Sequence, residues 1–331
     1  MRSTIILAAP CLLAAGLAGG CTGSIGGDPA GDVPSAEVLG EVGTSGLRRL
    51  TAVEYRTTVL DLVGVDVDQA ELLLPTDDRT PFDNDFTKQT ASQALIDGAE
   101  LLAGEVAAEV VADPALRSAI VTCAPAGPSD EACFRAFVVD FGRRALRRTV
   151  TNAEVDGFAT RFLPHAAEDA DFWVAVDSAL RAFLQHPEFL YRVEIGEPIA
   201  GMPGLYRLTS FETATRLSYL LWGSTPPDWL LDAAEAGELA DDARLAQVAE
   251  TMLADPRAVD RIARFHGMWL AYEGLGSSSS LTEAMQDETR KLLERTLLEE
   301  RRPWIDLLLA EEKWATPEPP TRYGLEVTPE P

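Results

Sequence analysis

Beyond Ser45 the apolar positions recur every three or four residues, the spacing of helices with one buried face. Val53, Val59, Leu60 and Val63 mark a first face, and Leu95, Ala99, Leu102, Val106 and Val110 a longer one. Phe134, Phe137, Val138, Phe141 and Ala145 form an aromatic stripe, followed by Val155, Phe158, Ala159 and Phe162. Phe172, Trp173, Val176, Leu180 and Phe183 continue the pattern. Phe211, Ala214, Leu217 and Leu221 come next, then Leu245, Val248 and Met252. Val259, Ile262, Phe265 and Trp269 mark another stripe, and Met285, Leu292, Leu293 and Leu297 a last long helix. Pro303 opens a short helix running to Leu309. No alternating run is long enough to predict a strand, so each stripe is expected to pack into an all-α core.

The helix starts repeat. Arg49-Leu50-Thr51-Ala52-Val53-Glu54 is matched by Arg207-Leu208-Thr209-Ser210-Phe211-Glu212, and more loosely by Arg148 to Glu154. In each, the Thr hydroxyl can accept from an orphan helix N–H, and the Glu three residues on can reach back to the cap. That carboxylate also meets the positive end of the helix dipole. Three Arg-led copies divide the body into helical modules at 46–112, 113–196 and 197–331.

Residues 1–20 read as a signal peptide: Arg2, an apolar run from Ile5 to Leu17, then Ala18, Gly19 and Gly20 before Cys21. Leu17 to Cys21 resembles a bacterial lipobox, which implies diacylglycerol on the Cys21 thiol and cleavage before it. Residues 21–45 are rich in Gly, Ser, Asp and Pro, too poor in apolar surface to offset ordering, and read as a flexible, disordered tether. Thr22, not Asp, follows the cysteine. In a host with two membranes the usual sorting rule then places the protein at the outer one, in the cell envelope, facing periplasm or cell surface. The expected architecture is an elongated array of helical modules behind a lipid anchor.

The chain carries 53 acidic against 28 basic residues, a formal charge of −25, and loss of Arg2 with the signal peptide makes it −26. So acidic a surface argues against nucleic acid as a partner. Of four cysteines, Cys11 leaves with the signal and Cys21 takes the lipid. Cys123 and Cys133 remain, flanking a Pro/Gly-rich loop, and are expected to form a disulfide closing that loop onto the next helix. No CxxCH or CxxC pattern occurs, so no covalent haem and no cofactor are expected.

Motifs for hydrolases, zinc proteases, dinucleotides and P-loops are absent from the sequence. His165, His186 and His266 show no i, i+4 pairing. His186 precedes Pro187 and reads as a residue ending a helix, where its charge suits the dipole. His266 reads as a packing residue. Asp77-Asp78 with Asp83-Asn84-Asp85 is the best calcium candidate, Asp83 and Asp85 above all. It lacks the EF-hand pattern, and an Asx-rich turn explains the same residues, so no metal is expected. Arg143, Arg144, Arg147 and Arg148 can grip an anionic ligand or a haem propionate, but intramolecular ion pairs are the simpler reading. Trp222, Trp229 and Trp304 can stack on sugars, with core packing the default.

The segment Leu47 to Asp66, LRRLTAVEYRTTVLDLVGVD, followed by Pro81-Phe82-Asp83-Asn84, resembles the opening module of an exported bacterial family of unknown function, the planctomycete-type PSD series. Cys133 to Glu154, continuing to Pro187-Glu188-Phe189-Leu190-Tyr191-Arg192, resembles a second module. Tyr206 to Leu239, with Arg216 to Gly223 and Pro226-Pro227-Asp228, resembles a third that runs on through Leu253 to Ala258 and Trp269-Leu270 to Tyr323-Gly324-Leu325. The order is that of the third, fifth and fourth PSD domains. Relatives often carry a c-type cytochrome domain, further carboxyl-terminal modules or carbohydrate-binding domains. The resemblance therefore implies a fragment or a shortened member, its third module cut at the carboxyl end. Lys313 to Tyr323 departs from the family's usual ending. The function expected is a membrane-anchored helical scaffold or interaction subunit of an envelope assembly, linked to redox or polysaccharide processing. Its partners are the membrane and a c-type cytochrome or another envelope protein. The alternatives are a polysaccharide-active enzyme using carboxylates and a calcium-dependent adhesion module.

Overall fold

A computed structural model describes residues 46–89, 91–272 and 280–309. The signal peptide, Cys21, the tether and Tyr323 to Leu325 lie outside the described residues. The described body is mostly α-helical, as expected. Its helices are α1 (Ala52–Val63), α2 (Ala70–Leu73), α3 (Gln93–Ala112), α4 (Pro114–Ile120), α5 (Glu131–Leu146), α6 (Asn152–Glu168), α7 (Phe172–Leu184) and α8 (Pro187–Leu190). They continue with α9 (Ser210–Leu221), α10 (Asp228–Glu235), α11 (Asp242–Leu253), α12 (Pro256–Trp269), α13 (Ser280–Leu293) and α14 (Ile305–Leu309). A π-helical turn, Glu294–Glu299, follows α13. No described helix is long and apolar enough to cross a membrane.

All three Thr/Glu pairs form complete capping boxes, at Thr51/Glu54 on α1, Thr151/Glu154 on α6 and Thr209/Glu212 on α9. Five further helices start on an aspartate whose carboxylate accepts a backbone N–H: Asp113, Asp130, Asp171, Asp241 and Asp255. Part of the acidic excess thus serves helix starts, where a negative charge meets orphan donors and the positive dipole end. Gly64 ends α1 in the left-handed region, at φ 78°, which a residue without Cβ adopts at no steric cost.

One core joins the first two modules. Buried apolar residues from Leu50 to Leu190 form a single cluster in which α3 packs along α7, and α5 and α6 pack beside it. Phe134, Phe137, Phe141, Phe158 and Phe183 run through it in ring contacts of 4.3 to 6.0 Å. The boundary expected at 112/113 therefore falls inside a continuous core. Three helices of 12, 4 and 20 residues bury too little surface to close a core alone. The third module has a second cluster of its own, built from Ala214, Trp222, Leu230, Leu239, Met252 and Ala258 among others.

Two strand pairs appear, each too short for an alternating signal. Strand β1 (Arg48–Arg49) pairs antiparallel with β2 (Tyr191–Arg192), Arg48 opposite Arg192. Strand β3 (Glu197–Pro198) pairs with β4 (Tyr206–Arg207). The first pair ties the start of the first module to the end of the second. Not every apolar stripe residue is inside. Leu60 is exposed, and the buried face of α1 is carried by Tyr55, Val59, Leu62 and Val63.

Cys123 and Cys133 are bonded, closing the loop onto the first turn of α5. Replacing both by Ala should lower the unfolding free energy by about 2–3 kcal/mol, the loop-entropy value for so short a bridge. Urea unfolding of the double variant against the parent, under non-reducing conditions, measures it; equal midpoints would leave the bridge without a stabilising role.

Candidate functional site

The charged groups of the body converge on the amino-terminal end of α1. Glu54 closes the α1 capping box and is fully buried. Its other oxygen accepts from Nη2 of Arg261 on α12 at 2.9 Å. Asp77 accepts from the Ala52 N–H at 2.9 Å, supplying another orphan donor of α1, and from Arg49 at 2.8 Å. Burial raises the Asp77 carboxyl above its ordinary value, against the pull of the Ala52 N–H and Arg49. Arg264, one turn along α12, pairs with buried Asp83. Thr57 of α1 donates to the Gly223 carbonyl at 2.7 Å, and the Thr58 hydroxyl lies 2.9 Å from that of Tyr219. The third module thus joins the rest through polar contacts with α1 and α5 and through Tyr219, which is buried in the first core, beside a second core of its own.

The Arg-rich stretch after Phe141 is occupied within the chain. Arg143 pairs with Asp232 and Glu235 on α10, and Arg144 donates to the Asp61 carbonyl at 2.9 Å. Arg147 is not on the helix at all: it ends α5 in the left-handed region, at φ 59°. Its guanidinium is buried against the carbonyls of Glu188, Phe189 and Tyr191 and over the Tyr219 ring. Burial holds that guanidinium below its ordinary value. Arg148 bridges Glu154 and Glu188.

The histidines do not converge. His165 is on the surface near Glu168. His186 caps the start of α8, with Nδ1 accepting the Glu188 N–H at 3.1 Å. His186 also follows the end of α7, where its N–H donates to the Phe183 carbonyl, so the expected helix-end residue is at the same time the cap of the next helix. His266 is a buried packing residue with both nitrogens engaged: Nδ1 lies 2.8 Å from the Ile262 carbonyl, and Nε2 accepts from the Trp304 indole at 3.0 Å. Those partners assign the proton to Nδ1.

The calcium candidates are also separated in role. Asp83 is committed to Arg264, whereas half-buried Asp85 accepts from the N–H and hydroxyl of Thr87 in an Asx turn. Asp78 faces Lys88 at 3.2 Å. Among the described residues no three His, Cys, Asp or Glu side chains gather where an ion could be held.

Two clefts flank Leu146. One, of about 360 Å³, is lined by Arg147, Arg148, Glu188, Thr209, Phe211 and Glu212 among others. The other, of about 340 Å³, lies between α6 and α7 and includes Glu154, Phe158, Arg161 and His186. Glycoside hydrolysis needs one carboxyl held protonated by a raised pKa. The clefts offer the reverse. The Arg148 hydrogen bond pushes the Glu154 carboxyl down to about 2. Burial raises Glu212, but the N–H groups of Gly196, Thr209 and Ile195 outweigh it and leave this carboxyl below its ordinary value.

The remaining feature is an exposed aromatic face. Phe82 stacks on Phe265 with centroids 5.2 Å apart, Phe265 lies 6.5 Å from Trp269, and Trp269 lies 5.3 Å from Trp304. Phe265, Trp269 and Trp304 are exposed, and Leu270, Ile305, Leu308 and Leu309 extend the apolar surface. The Trp304 bond to His266 fixes the outermost ring. Phe265 and Trp269 were expected in the core. Instead α12 has two apolar faces, one burying Ala258 and Val259 and the other carrying these rings. Trp222 is largely buried, its indole donating to the Met252 carbonyl at 2.9 Å under the Arg257 guanidinium; Trp229 beside it is exposed.

Two outcomes follow from this geometry. Arg261→Met strands a buried carboxylate and should destabilise the protein by roughly 3 kcal/mol, with Glu54→Gln/Arg261→Met costing less than the two single changes added. Denaturant unfolding of the four-protein cycle reads this, and simple additivity would disprove the coupling. Glu154 has a folded value below its unfolded one of about 4.3. Its contribution is therefore present above that pH and lost as pH falls toward 2. In acid titrations of stability, Glu154→Gln should flatten that window by less than about 1 kcal/mol, since the pair is solvent-screened.

No curated protein and no solved structure matches the chain. Residues 48–112 match PSD3, a protein of unknown function (DUF1587), and residues 133–194 match PSD5, a protein of unknown function (DUF1595). Residues 208–325 match PSD4, a protein of unknown function (DUF1592). The body of this chain belongs to the PSD series of domains of unknown function and carries the third, the fifth and the fourth of them, in that order.

Proposed function

We propose that the protein is a scaffold or interaction subunit of a cell-envelope assembly, held to the membrane through lipid on Cys21 and docking a partner on its aromatic face. The observation that carries this reading is the exposure of Phe265, Trp269 and Trp304, which are in ring contact, together with exposed Leu308 and Leu309 on the helix that follows Trp304. Apolar patches of this kind, rimmed by charge, mark interaction sites. The chain's formal charge of −25 favours a partner whose apolar contact is rimmed by Lys and Arg, such as a basic c-type cytochrome or another envelope protein. Glu154 and Glu212, whose carboxyls are held below their ordinary values by hydrogen bonds, support a non-catalytic role over carboxylate catalysis.

The test has two arms. Cys21→Ser should abolish incorporation of labelled fatty acid and release the protein from the membrane fraction; retained label would overturn the anchor. The tagged protein, extracted from its own host, should co-purify with one envelope protein in stoichiometric amount. Leu308→Asp/Leu309→Asp, at positions 58% and 69% exposed, should reduce that recovery at least tenfold without lowering the melting temperature. A complex indifferent to this change, or no complex, would overturn the docking face.

A further inference from the structure

Arg192 is 5% exposed, and its Nε and Nη2 are buried with no hydrogen-bond partner. Other arginines that reach inward meet an acceptor: buried Arg147 has backbone carbonyls, and three more have a carboxylate. Arg49 has Asp77, Arg261 has Glu54 and Arg264 has Asp83. Arg192 makes no ion pair among the described residues. The acids nearest in the sequence and the fold are already committed, Glu194 to Arg216 and Glu54 to Arg261. Below Arg192 lies the Tyr219 ring, with the guanidinium carbon 5.2 Å from its centroid, and that ring is shared with Arg147.

Directly across the β1–β2 pair stands Arg48, so the two arginines leave the same face of the ladder. Arg48 is half-buried, and its Nε is also buried without a partner. Burial and the neighbouring Arg192 lower the Arg48 guanidinium, against the weaker pull of Glu194 and Glu54. Like charges opposed on paired strands repel, and burial deprives them of water. An anion between them removes both penalties.

The identity of the free atoms defines the anion. Nε and Nη2 form the side-on edge of a guanidinium, two parallel donors matched to two oxygens of one carboxylate or phosphate group. We propose that Arg192 and Arg48 form a binding site for a single oxyanion group, a carboxylate or a phosphate, held side-on by Nε and Nη2 of Arg192 and by Nε of Arg48 opposite it. Arg147 has a positioning role: its bonds to the Glu188, Phe189 and Tyr191 carbonyls fix the chain leading into β2.

The test is calorimetric titration of the full-length, detergent-solubilised protein with inorganic phosphate and with acetate, and melting in each against sodium chloride at equal ionic strength. At least one oxyanion should bind with one-to-one stoichiometry and raise the melting temperature above the chloride value. Acetate alone assigns a carboxylate ligand and phosphate alone a phosphoryl one. Arg48→Met should weaken binding at least tenfold, as should Arg192→Met, whose side chain still covers Tyr219. If Arg192→Met does not fold, Arg48→Met decides. Equal melting in all three salts, or Arg48→Met with unchanged affinity, would overturn the site.

Discussion

Glu54 is fully buried, and its charge is tolerable only because three groups meet it: the Thr51 N–H, the first turn of α1 and the Arg261 guanidinium from 207 residues away. A carboxylate so placed gains little net stability from its partner, because desolvation offsets attraction, but it penalises any arrangement that leaves it alone. That penalty is directional. It specifies one seating of α12 against α1, and the Arg264–Asp83 and Thr57–Gly223 contacts extend the same seating. The aromatic face rides on α12, so its geometry is set by this buried pair.

The protein uses its charges inward. Acids cap helices, and arginines bridge segments or press on tyrosine rings. This accounts for an acidic chain without a described acidic ion site, and for arginine as its dominant cation. A planar guanidinium can stack on Tyr219 and still donate at its edge, whereas an ammonium cannot.

Local chemistry was legible in the sequence. The three capping boxes need only a Thr and a Glu three residues apart, and each was realised. The disulfide followed from counting cysteines, and the helical fold from apolar spacing. What spacing does not encode is which of two apolar faces gets covered. On α12 Val259 went inside, while Phe265 and Trp269 went outside. Arg192 was invisible for a different reason: its significance lies in a pairing with Arg48 across 144 residues and in the absence of an acid, and a two-residue strand carries no periodicity. The Arg143–Arg148 stretch drew attention by density, yet each of its four arginines is engaged with neighbours in the chain. His186 ends one helix as expected and also starts the next, because a Pro at the first helical position signals a start as strongly as a stop.

The continuous core across the first two modules has a consequence for inheritance. Sequence boundaries suggest interchangeable parts, yet the face of α3 is finished only by α7. A recombination event that replaced residues 48–112 with a diverged copy would have to import the matching phenylalanine-lined surface as well. The third and fifth domains of this chain therefore form one packing unit. The fourth has a core of its own and lends Tyr219 to theirs, so exchanging it would mean matching a single buried ring rather than a whole helix face.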